Sequence, residues 1–229
     1  VAGQITAIRI QKRNNQRANI FIDDEFAFSL DLIEAAKLSK GQYLDDSDIA
    51  ALRAVDESSR AYERALDLLS YRPRSRAEVA RSLQDKGFAE STIDDVLGRL
   101  IRSGLLDDRT FARYWIENRE QFRPRGPFVL RRELQQKGIA DAIIQESLQD
   151  TDERASAYRA AMQKRSRWQR IMATDPALLR RKLFGYLKQR GFGYDAIQEV
   201  WERFQSEWSI AESDLEESEE TTTWQDQYT

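Results

Sequence analysis

The chain contains neither cysteine nor histidine. Without thiols it has no disulfide, no thiolate nucleophile and no thiolate-bound zinc, a composition that fits a reducing compartment. Without imidazole it also lacks the usual proton acceptor near neutral pH and the commonest metal ligand. Proline occurs four times and glycine ten times in 229 residues, too few for a fibrous or loop-rich protein. No run approaches the ~20 apolar residues of a membrane helix. The opening Val1-Ala-Gly-Gln-Ile-Thr has no basic-then-apolar leader pattern, so a cytoplasmic location without membrane contact is expected. The glycines fall singly, so no phosphate-cradling loop is present, and Ser70, Ser75 and Ser91 have no histidine to activate them.

What is abundant is charge, and it is unevenly placed. The net charge is −3, yet seven of the 39 acids lie between Ile210 and Thr229, where there is no basic residue. Setting those seven aside leaves 36 Lys/Arg against 32 Asp/Glu, a body of about +4. Between Arg154 and Arg190 eleven Lys/Arg accompany one acid, Asp175. A basic body beside an acidic tail points to a polyanion or an acidic protein surface as partner.

Alternating apolar residues from Ile8 to Leu30, interrupted at Asp23-Asp24-Glu25, predict a small three-stranded antiparallel sheet needing a helical cover. A short helix follows behind Asp31, and helical character resumes near Ser47. Beyond Glu57 every pattern is helical. Ala61, Ala65, Leu68 and Leu69 form one stripe; Ser75-x-x-Glu78 is a capping box; Lys86-Gly87-Phe88 closes its helix with a left-handed glycine. Ser91 is the expected cap of the next helix, which carries Ile93, Val96, Leu97 and Leu100. The phrase returns with Phe111, Trp115 and Phe122, then Leu130, Leu134 and Lys137-Gly138-Ile139, then Ile144 and Leu148. A third copy is expected to begin near Asp152 with one long helix through Tyr158 and Trp168. Its Leu183, Leu187, Arg190-Gly191-Phe192, Ile197, Val200 and Trp201 match the rest.

The expected fold is therefore mainly α: tandem three-helix repeats forming an elongated array, preceded by a small strand-rich N-terminal region. The boundaries read as 1–56 for the strand-rich region, 57–105, 106–150 and 151–209 for the repeats, and 210–229 for an acidic, disordered tail. Tyr71-Arg72-Pro73-Arg74 recurs 51 residues later as Phe122-Arg123-Pro124-Arg125. Each proline stops one helix before the next, making a stiff corner with two arginines, and Tyr71 and Phe122 are expected in the module cores.

Asp107-Asp108 and Asp94-Asp95 are the best carboxylate pairs for metal-dependent nuclease chemistry, but both lie where aspartate caps helices, and capping is the preferred reading. No catalytic residue and no cofactor or metal site is expected. A DNA-reading helix-turn-helix is disfavoured, because the helices after the glycine turns begin with acids: Asp94 and Asp95, Asp141, and Asp195. The contact candidates are basic. Arg159, Arg167 and Arg170 are expected to share a face of the long third-repeat helix, with Arg180, Arg181 and Lys182 on the next. Arg131 and Arg132 hold the equivalent place in the second repeat. Arg72, Arg74, Arg123 and Arg125 sit at the corners, expected along one edge about a repeat apart. Arg109 and Arg113, mixed with Glu117 and Glu120, read as a solvated face.

Ser70-Tyr-Arg-Pro-Arg-Ser75, Lys86-Gly87-Phe88, Gly104-Leu-Leu-Asp-Asp108 with Phe111-Ala112, and Leu134-Gln-Gln-Lys-Gly-Ile139 resemble the RecX regulatory family. The resemblance spans about residues 57–205, and the strand-rich start resembles the N-terminal extension of longer members. It implies tandem three-helix repeats and a non-enzymatic regulator of the RecA recombinase. Such a regulator binds RecA and its filament on single-stranded DNA, limits extension and suppresses ATP hydrolysis, strand exchange and co-protease activity. A monomer is expected. The alternative from composition alone is a general nucleic-acid-binding helical module that contacts the phosphate backbone.

Overall fold

The computed structural model describes residues 2–208; the acidic segment 210–229 lies outside them. Two compact units divide between Asp108 and Arg109. The first opens with β1 (Gly3–Ile10), β2 (Arg17–Ile22) and β3 (Glu25–Asp31). Helix α1 (Leu32–Ala35) follows, capped by the Asp31 carboxylate, which accepts from the amide of Ile33. The sheet has four strands rather than three, in the order β3-β2-β1-β4, all antiparallel. The fourth, β4 (Tyr43–Leu44), is two residues long and too short to show a periodicity. Asp23 and Asp24 join β2 to β3 with φ of 49° and 70°, the paired left-handed geometry of a tight hairpin.

Ile5, Ala18, Ile20, Ile22, Phe28 and Leu30 make the buried face of the sheet, covered by Ala35 and by Ile49 of α2 (Asp46–Tyr71). Phe26 is exposed and rests edge-on against Phe21; a bulge between Ile20 and Phe21 shifts the pairing there. Arg17 on β2 pins α2 to the sheet: its Nη2 lies 2.8 Å from Asp56 Oδ1 and 3.1 Å from Oδ2, at a nearly buried carboxylate. Helix α2 runs unbroken from sheet to first repeat, so the position between 56 and 57 falls inside a helix.

Ala61 and Ala65 of α2 pack on Val79 and Leu83 of α3 (Arg76–Gln84) and on Ile93, Val96, Leu97 and Leu100 of α4 (Glu90–Arg102). The capping box forms as expected: Ser75 Oγ accepts from Glu78 N at 3.2 Å, while the Glu78 carboxylate accepts from Ser75 N. At Gly87, with φ 82°, the amide of Phe88 reaches back to Leu83 O and its ring joins the core. Ser91 does not cap α4. The helix starts at Glu90, and Glu57 of α2 supplies the acceptor, 3.0 Å from the amide of Ala89. A tertiary carboxylate replaces the local hydroxyl.

The second unit, from Arg109 on, holds all but the first residue of α5 (Asp108–Phe122), then α6 (Pro127–Gln136) and α7 (Asp141–Gln149). Phe111, Ala112, Ile116, Leu130, Leu134, Ile139 and Ile144 form their core. The third repeat corrects an expectation. Its first element is two helices, α8 (Glu153–Met162) and α9 (Arg165–Met172), not one. The break satisfies aromatic donors: Trp168 folds back so that Nε1 donates to Ala161 O at 2.9 Å, and Tyr186 Oη donates to Ala160 O at 3.1 Å. Carbonyls at the end of α8, which α8 itself cannot pair, take the buried ring donors. Helix α10 (Pro176–Gln189) starts at a first-turn proline behind the Asp175 cap, and α11 spans 194–208. Ala157, Ala160, Trp168, Leu179, Leu183, Leu187, Phe192, Ile197, Val200, Trp201 and Phe204 share one core.

Candidate partner-binding surface

The corners are less exposed as charges than as rings. Tyr71 is 83% and Phe122 60% exposed, so neither is core; each sits in the last turn of its helix, where the proline corner has already turned the chain away. Arg72 donates from both terminal nitrogens to the Glu78 carboxylate, at 3.1 and 3.0 Å, and so reinforces the capping box. Its counterpart Arg123 has Val129 where Glu78 stands and makes no side-chain hydrogen bond or ion pair among the described residues. Arg74 and Arg125 behave alike: both are half-buried, with Nε enclosed and unpaired.

In the second unit the corner docks onto the third repeat's glycine turn. Gly126 N donates to Arg190 O at 2.9 Å, and Arg190 Nη1 donates to Pro124 O at 3.1 Å. Arg190 is thereby taken out of the pool of free cations.

The remaining basic side chains divide into paired and unpaired. Arg159 lies on α8, 3.7 Å from Glu120 and 2.9 Å from Ser156 Oγ, whereas Arg167 and Arg170 lie on α9. The shared face expected for these three does not exist, because the helix that would carry it is broken. Arg154 pairs with Glu199 and Arg203 with Glu207. By contrast Arg165, Arg167, Arg170, Arg180, Arg181, Lys182 and Lys188 are exposed and in no ion pair among the described residues. Asp175, the one acid in this stretch, accepts from the amide of Leu178 as an N-cap. Trp168 against Tyr186, 5.6 Å between ring centroids, holds α9 on α10. Among the described residues, two packed helices thus carry six further exposed cations beside Arg165, which lies within electrostatic reach of Glu207, and none of the seven is in an ion pair.

On α6, Arg131 and Arg132 are also exposed and in no ion pair among the described residues, and the same helix buries Leu130 and Leu134. Phe128, 73% exposed, precedes them by three and four residues and lies on the same helical face. Sequence reasoning passed over Phe128, although its spacing to the two arginines was readable. Of the candidate acids Asp108 acts as a cap, its Oδ1 accepting from Arg76 N at 2.8 Å at the first turn of α3, whereas Asp94 and Asp95 lie inside α4 and cap nothing there, Asp94 standing 4.0 Å from the Arg76 guanidinium. Arg109, expected to be merely solvated, pairs with Glu146 at 3.2 Å. Among the described residues no cluster of acids could hold a metal ion, and no helix is long and apolar enough to cross a membrane.

A sheet-bearing N-terminal region followed by successive three-helix domains defines a helical-repeat protein. Residues 3–45 match the Regulatory protein RecX N-terminal domain; 61–100, 107–148 and 149–201 match the first, second and third RecX three-helix domains. Regulatory protein RecX of Bacillus licheniformis is 36% identical over 84% of this chain and 74% of its own length. That of Bacillus subtilis is 36% identical over 89% and 78%. A crystal structure of regulatory protein RecX superposes with a TM-score of 0.67 at 26% identity, covering 87% of this chain and 98% of that one. The chain belongs to the RecX family of regulatory proteins.

Proposed function

We propose that this protein regulates the RecA recombinase by binding its filament on single-stranded DNA. There it limits extension and suppresses ATP hydrolysis, strand exchange and co-protease activity. The observation that carries the reading is the set of exposed cations on α9 and α10, in no ion pair among the described residues, where the one local acid is committed to a cap. Such a surface attracts phosphates and acidic protein faces and speeds encounter with both. Arg167, Arg170, Arg180, Arg181 and Lys182 are the contact residues, with Arg131, Arg132 and Arg123 as further contacts. Arg72 and Arg159 serve the fold first, since carboxylates already hold them. Arg74 and Arg125 have half-buried stems and contribute less. The protein acts in the cytoplasm as a monomer and without catalysis; Asp108, capping α3, supports that reading.

Recombinase ATP hydrolysis on single-stranded DNA is the test. It should slow at concentrations of this protein well below those of the recombinase, and no effect in large excess would remove the proposal. The Phe128, Arg131 and Arg132 face favours a second reading, general single-strand binding, because aromatic rings stack on unpaired bases beside phosphate-binding arginines. Tight, salt-sensitive binding of an oligonucleotide in the absence of recombinase would favour it.

A further inference from the structure

Residues 210–229 carry seven carboxylates, no lysine or arginine, and two aromatic rings, Trp224 and Tyr228. Helices α9 and α10 carry the complementary set: exposed cations that are in no ion pair among the described residues. We infer that segment 210–229 occupies the basic outer face of α9 and α10 and shields it from competing polyanions. The occupant is this chain's own segment, and this regulatory consequence rests on the reading of that face as the partner-binding surface.

Reach permits it. The described part of helix α11 reaches Trp208, whose side chain lies in the same core as Trp168, Leu179, Leu183 and Leu187. The segment therefore leaves from the very domain that carries the basic face. A domain of some fifty residues has a radius of gyration of about 10 Å. A chain of twenty residues spans on the order of 25 Å root-mean-square, before charge repulsion extends it.

Tethering supplies the strength. A segment held this close acts at an effective concentration on the order of millimolar, so weak pairings suffice. Guanidinium planes take both carboxylates and aromatic faces, which gives Trp224 and Tyr228 a place beside the acids. A longer, more highly charged polyanion would displace the segment, while short or scattered anions would not. The device would raise selectivity for an extended partner over incidental nucleic acid.

Zero-length carbodiimide coupling on the full chain tests the contact. Amide links from 210–229 should map to Lys164, Lys182 and Lys188, and should vanish near 1 M salt, where the screening length is about 3 Å. No links, or links spread equally to Lys12, Lys37 and Lys40 in the sheet-bearing region, would overturn it. Shielding is read by heparin affinity in a four-protein cycle: full chain and Δ210–229, each with and without Arg180→Glu/Arg181→Glu/Lys182→Glu. Deletion should tighten binding about three- to tenfold at low salt in the unaltered background and far less in the triple variant. An equal gain in both backgrounds reflects net charge alone and overturns the shielding. Neither arm contains recombinase or DNA, so failure of the proposed function leaves both readouts standing.

Discussion

Gly126 and Gly191 meet backbone to backbone. The amide of Gly126 donates to Arg190 O at 2.9 Å, and a Cβ on Gly126 would overlap the Gly191 carbonyl. A Cβ on Gly191, at φ 85°, would sit 2.6 Å from Val129 Cγ2. The two glycines thus let the corner of one repeat seat on the helix-ending turn of the next.

Alanine at these positions should therefore cost more than the turn geometry alone. Gly87, at φ 82° with nothing near its Cβ, isolates the backbone cost, about 1–2 kcal/mol for alanine. Gly126 has an ordinary φ of −75°, so Gly126→Ala isolates the steric cost, about 1–3 kcal/mol. Gly191→Ala carries both and should be the worst of the three. Urea denaturation midpoints give the ranking, and an unchanged midpoint for Gly126→Ala would contradict the docking.

The long-range caps are a second measurable feature. Glu57→Ala leaves the Ala89 amide without its acceptor, and Asp108→Ala does the same to Arg76. Each should lower stability by about 1 kcal/mol, as should Ser75→Ala in the capping box. Asp108→Ala should leave recombinase regulation unchanged in the folded fraction, which ATPase assays matched for folded protein will check.

Charge reversal separates partner binding from structure. Arg180→Glu/Arg181→Glu/Lys182→Glu removes cations that are in no ion pair among the described residues, so the fold should survive while association with the recombinase filament weakens at least tenfold. The salt dependence should flatten by roughly one unit of log–log slope for each phosphate no longer neutralised. Arg159→Ala should behave in the opposite way, lowering stability because Glu120 is left without its guanidinium, with little change in association. Equal behaviour of the two variants would dissolve the division between paired and free cations.

Acid should loosen the last helix before the rest of the third repeat. Arg203 Nε donates to Glu207 at 2.7 Å, and Tyr158 Oη donates to both carboxylate oxygens at 3.0 Å. The Arg203 hydrogen bond, helped by Tyr158 and opposed by desolvation, holds the Glu207 carboxyl below its ordinary 4.5. A depressed folded value means that its stabilisation is complete above the ordinary value and is lost as pH falls from there through the folded one. Glu207→Gln should flatten that acid limb in a thermal series from pH 5 downward. An unaltered limb would assign the loss to other carboxylates.

Local chemistry was readable where residue and consequence lie within one helical turn. Ser75 with Glu78 and the glycine turns at 87, 138 and 191 all stand as expected, because caps and left-handed positions depend on neighbours three to five residues away. What escaped reading depended on distant partners. Ser91 lost its capping role to Glu57, thirty-four residues upstream. The break between α8 and α9 has no glycine or proline to announce it; at it Trp168 and Tyr186 donate to the carbonyls of Ala161 and Ala160. Tyr71 and Phe122 looked apolar enough for a core, but core membership depends on where the corner sends the chain.

By itself the sequence determined the helical repeats, the small sheet, the family, and the excess of positive charge in the third repeat. Those follow from periodicity, punctuation and composition, all properties of order along the chain. Only the tertiary structure decided which cations are free. A guanidinium is neutralised by whatever carboxylate folding brings within about 4 Å, and that distance is set by packing. Arg72 and Arg159 were thereby turned to structural duty, and Arg190 by its bond to the Pro124 carbonyl, while Arg123, Arg131, Arg132 and the arginines of α9 and α10 are in no ion pair among the described residues.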